Sequence, residues 1–140
     1  MNRRPERGSV TLFVLGLCVL VVFVGGLALD LWRAFSERLA LATAADAAAV
    51  AGAGALDADH FRRTGEPRLD QALAEQRALD SIAAQADRRS LTGAAAEAST
   101  EEVTVTVTGR VDFTLLRIFL SGEDPFTLTV TSTADPRRTP

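Results

Sequence analysis

Val10 to Leu29 reads VTLFVLGLCVLVVFVGGLAL, twenty residues without a charged side chain. Coiled into an α-helix at about 1.5 Å per residue, it covers the roughly 30 Å hydrocarbon layer of a bilayer. Buried instead as the core helix of a soluble protein, it would need apolar sequence on all sides. The rest of this 140-residue chain supplies too little. The stretch therefore predicts one transmembrane helix and leaves length for one small domain outside the bilayer.

The flanks of that segment set its character. The apolar run exceeds the roughly 7–15 residues of a signal-peptide core, and Asp30 and Arg33 intervene before any Ala-rich cleavage-like sequence, which favours a permanent anchor. Arg3, Arg4 and Arg7 precede it, and basic residues resist translocation, so the N-terminus is expected in the cytoplasm and the C-terminal part outside. The expected location is the cell (inner) membrane, crossed once. Cys18 lies in the middle of the span and has no second cysteine to pair with. Leu17 before it and the apolar run after it argue against a lipid-attachment site. Gly16, Gly25 and Gly26 offer shallow places for a helix contact or a bend, without a clean small-xxx-small pair.

Beyond Asp30 the chain contains no proline until Pro67 and is rich in helix formers, so the helix is expected to project to about Leu56. Leu31, Phe35, Leu39, Ala42, Ala45, Ala49 and Ala53 recur at helical spacing, and the outer members are small enough for a sheet or another helix to approach closely. Trp32 sits where an interfacial aromatic would anchor the helix among headgroups. Asp57 to Pro67 reads as a loop. Arg68 to Arg89 reads as an amphipathic helix presenting Leu69, Leu73, Gln76, Leu79, Ile82 and Ala86, with Arg88 and Arg89 suited to its C-terminal end.

The period then changes from about 3.6 to 2. Val103, Val105, Val107, Val111 and Phe113 alternate with Thr104, Thr106, Thr108, Arg110 and Asp112, and Phe126, Leu128 and Val130 alternate with Thr127, Thr129 and Thr131. Two strands are expected to pair antiparallel, with turn chemistry at Gly122 to Pro125 ahead of the second. Leu115 to Leu120 fits a short helix, a continued strand or a return to the membrane surface. Because a lone hairpin is marginal in water, it must bury its Val and Phe face on the helices. The expected class is α+β, a long N-terminal helix and a second amphipathic helix with an antiparallel β-hairpin or small sheet. The chain divides into a basic leader 1–8, a transmembrane helix 9–29, its continuation 30–56, a small α+β domain 57–134 and a tail 135–140.

RGSVTLFV at Arg7 to Val14, LALDLWR at Leu27 to Arg33 and ADAAAVAGAGAL at Ala45 to Leu56 resemble the TadE/TadG-like family, with the strand segments VTVTVTGRVDFTLL and FTLTVTSTAD following in similar order. The resemblance implies a membrane-anchored component of Flp-type (Tad) pilus assembly, with pilins or other Tad components as partners. Pilin-like members are cut by a prepilin peptidase after a glycine and carry a glutamate five residues into the mature helix. Gly8 occupies a comparable place as a processing position, but Phe13 stands where that glutamate would be. This departure points toward an uncleaved or minor, accessory component instead of a major pilin.

Charge and motifs bound the alternatives. With a net charge of −3, all fifteen basic residues being arginine, the chain lacks the basic footprint of a nucleic-acid binder. There is no G-x-S-x-G elbow, no phosphate-binding GxxxxGK[ST], no CxxC and no HExxH, so no enzyme, cofactor or small-molecule substrate is expected. His60 is the only histidine and reads as a solvated loop residue, without neighbouring metal ligands. Asp30 and Asp46 are candidate partner contacts. The alternative for Asp30 is an interfacial, solvated acid paired with Arg33, and for Asp46 a solvated helix face. Ala49 and Ala53 are candidate packing contacts with a partner helix. A second functional reading is a membrane-tethered envelope binding or regulatory module unrelated to pili.

Overall fold

The computed structural model describes residues 7–85, 91–111 and 126–136, with side chains from Val10 onward. The expected helix is one element, α1 (Arg7–Ala53), of 47 residues. At about 1.5 Å per residue it is roughly 70 Å long. It stops three residues short of Leu56, where Gly52 and Gly54 weaken the last turn and the chain bends so that the Ala55 N–H donates to the Gly52 carbonyl at 2.9 Å. Gly16 and Gly25 meet nothing within 4 Å, so neither serves a close contact with another described part of the chain.

The helix is shared by two compact units that divide after Ala34. In the first, Val10 to Leu29 lies with its side chains exposed, as a segment solvated by lipid requires. The second holds the rest of α1, together with α2 (Ala58–Thr64), α3 (Gln71–Ala83), β1 (Leu91–Ala98), β2 (Val103–Val111) and β3 (Phe126–Ala134). The sheet is antiparallel throughout, in the order β1-β2-β3. The α+β class follows, and the anticipated hairpin is the β2–β3 half of a three-stranded sheet.

Alternation sets the faces of this sheet. Val103, Val105 and Val107 of β2 are buried and face the core, with partly buried Leu128, Val130 and Ala134 of β3 packed against it. Register places Val107 opposite Val130 and Val103 opposite Ala134, so both apolar rows fall on one side. The threonines line the other side. Thr104 pairs with Thr133 at 3.2 Å and Thr106 with Thr131 at 3.4 Å between hydroxyl oxygens.

Two elements depart from the reading of the sequence. β1 was not anticipated, because LTGAAAEA has almost no β-branched residues; it forms by folding back from a turn in which the Ser99 hydroxyl accepts from the Glu101 and Glu102 N–H groups. α2 replaces part of the expected loop. Asp57 caps its start by accepting from Asp59 and His60, and Gly65 ends it with φ +74°, a conformation glycine adopts without strain.

α3 begins two residues beyond Arg68's nearer neighbour Leu69, with Asp70 as its cap. Its buried face is Ala74, Ala78 and Ile82, while Gln76 and Leu79 are exposed, so the helix is rotated from the face expected of its largest side chains. The small residues turn inward because α1 and the sheet come close there. The expectations for Arg88 and Arg89, for Leu115 to Leu120 and for the turn at Gly122 to Pro125 lie outside the described residues.

Leu41, Ala45, Ala48 and Ala49 of α1 share one core with Leu69, Ala74, Ala78, Ile82 and the β2 valines. The tightest point is Gly52. A Cβ there would stand 2.9 Å from the Ala74 carbonyl oxygen and 3.0 Å from a methyl of Val103. Arg77 closes the junction by donating from Nη1 to the Gly54 carbonyl at 2.9 Å, where a cation meets the C-terminal end of α1.

Replacing Gly52 with Val is expected to destabilise this unit by about 1–3 kcal/mol through overpacking. Gly54→Ala, with its nearest atom 3.4 Å from the added carbon, is expected to do much less. Thermal melts of the full-length chain in detergent, followed by circular dichroism, compare the two.

Candidate interaction surface

With 3.6 residues per turn, the part of α1 beyond Asp30 presents two different faces. One is small and buried: Leu41, Ala44, Ala45, Ala48, Ala49 and Gly52. The other is large and open. Leu31, Phe35 and Leu39 follow one another at i, i+4 and i+8, Trp32 stands beside them, and each is more than half exposed. Val50, also exposed, extends apolar surface toward the end of the helix. Leu31 and Trp32 thus belong to the open surface of the first unit, and Phe35, Leu39 and Val50 form an apolar ridge on the second.

The sequence places Leu31, Phe35, Leu39, Ala45 and Ala49 in a single stripe, and the structure splits it. Ala45 and Ala49 are spent on the chain's own core, whereas the three large residues remain uncovered. Ala49 is fully buried, so its small side chain is accounted for by packing within the chain and it presents no surface to a partner helix. Ala53 is half-buried at the last turn of α1. Gly8 lies in the first turn of α1.

Asp30 is not the solvated acid expected beside Arg33, because only 2% of its surface is exposed while Leu29 and Leu31 on either side are open. No buried side-chain oxygen or nitrogen among the described residues lacks a hydrogen-bond partner. A carboxylate removed from solvent at the end of an apolar segment is costly unless satisfied, which makes Asp30 a structural group of the chain itself. Asp46 is exposed yet engaged, accepting a hydrogen bond of 2.5 Å from the Ser132 hydroxyl on the inner row of β3. This charge-assisted bond ties α1 to the edge of the sheet.

His60 sits in α2, half-buried, and donates its N–H to the Asp57 carboxylate at 2.9 Å. That bond is the main reason the Asp57 carboxyl is held below its ordinary value; desolvation opposes it, and the Asp59 N–H and the charges of His60 and Arg63 add to the lowering. Among the described residues no group of three or more His, Cys, Asp or Glu is arranged to hold a metal ion. The polar groups are used for capping and for joining elements.

A depressed folded-state pKa means that the Asp57 cap contributes fully above the ordinary carboxylate value of 3.8 and is lost as pH falls through the lower folded value. The His60 and Asp59 amides are therefore expected to exchange faster with solvent as pH drops through that range, after correction for intrinsic exchange. Asp57→Asn, which keeps an acceptor without a titration, is expected to remove the pH dependence while retaining α2.

Compared with known proteins, residues 8–55 match the model of the TadE/G-like Flp pilus-assembly family. The matched segment covers nearly the whole of α1 and the bend after it. Members of that family are structural components of pilus assembly and are not known as enzymes. No curated protein and no solved structure matches the chain.

Proposed function

We propose that the chain, whose residues 8–55 match the model of the TadE/G-like Flp pilus-assembly family, is a membrane-anchored accessory component of the Tad pilus apparatus, similar to a minor pilin. The observation that supports this reading is the open ridge of Phe35 and Leu39 on the second unit's part of α1. A water-facing helix gains nothing from large apolar side chains in one patch, whereas a helix that packs beside other apolar helices buries them.

The anchor is the Val10 to Leu29 segment, which has the length and composition of a single membrane span. The basic leader of Arg3, Arg4 and Arg7 favours a cytoplasmic N-terminus, leaving α2, α3 and the sheet outside. Trp32 and the ridge then stand at and just above the outer headgroups. At that level the helices of pilins or other Tad components are available as partners.

The ridge residues are exposed within this chain, so polar replacements should leave its fold within about 0.5 kcal/mol of the parent. Phe35→Ser combined with Leu39→Ser is expected to keep the melting behaviour but to lose recovery of a complex with Tad components from detergent extracts, and to reduce pili on cells. Unchanged recovery would remove the ridge from the interface. Normal pili in a deletion strain, with ligand-dependent protection of the sheet from exchange, would favour an envelope-binding module instead.

Phe13 in place of the acidic residue favours a permanent anchor. The intact mass of the protein extracted from membranes is expected to be that of the full chain. A mass corresponding to loss of residues 1–8 would establish processing after Gly8 and reassign the chain to the cleaved, pilin-like class.

A further inference from the structure

We draw no further inference here: the strongest candidate, the threonine-lined surface patch that β2 and β3 present on the side of the sheet away from the core, is an unpartnered sheet face, and nothing in the structure shows what covers it.

Discussion

The second unit depends on how closely α1 can approach the valine row of β2. Ala45, Ala48, Ala49 and Gly52 bring helix backbone, strand and α3 together with no room for a larger group, as the 2.9 Å and 3.0 Å approaches at Gly52 show. Small side chains contribute little apolar area individually, so this interface gains from proximity and from many weak contacts instead of from a few large side chains. The same demand explains why α3 turns Ala74 and Ala78 inward and leaves Leu79 outside. One helix thus changes character along its length, with large exposed residues in all directions over Val10 to Leu29 and a small buried face where the sheet and α3 pack on it.

Much of this was legible in the residues. Twenty uncharged positions in a row have few physical meanings, and VTVTVTGRV and FTLTVTSTA alternate strictly enough to give both strands and their shared face. β1 was hidden because its alanines favour helix as much as strand, and its state is decided by the neighbouring edge of β2. α2 carries Asp57 and Gly65 as readable boundary signals, but a helix of seven residues that buries nothing leaves no periodic apolar trace. The ridge was legible only in part. Spacing puts Leu31, Phe35, Leu39, Ala45 and Ala49 on one stripe, yet which members are covered depends on where the sheet lies, and that is a tertiary fact.

The acids illustrate the same limit. Asp30 and Asp46 both look like solvated helix residues from their neighbours, but the first is withdrawn from solvent and the second binds Ser132, 86 positions away in sequence. Each is therefore an element of the chain's own architecture.

The outward side of the sheet brings little charge to its contact with water. Its polarity comes chiefly from threonine hydroxyls, two cross-strand pairs of which satisfy one another, with Glu97 and Arg110 as outlying charges. Hydroxyl groups neither titrate in the ordinary pH range nor lose strength when ions accumulate around them. The hydration contributed by these hydroxyls is consequently set by composition, and only the outlying Glu97 and Arg110 make this side respond to pH or salt.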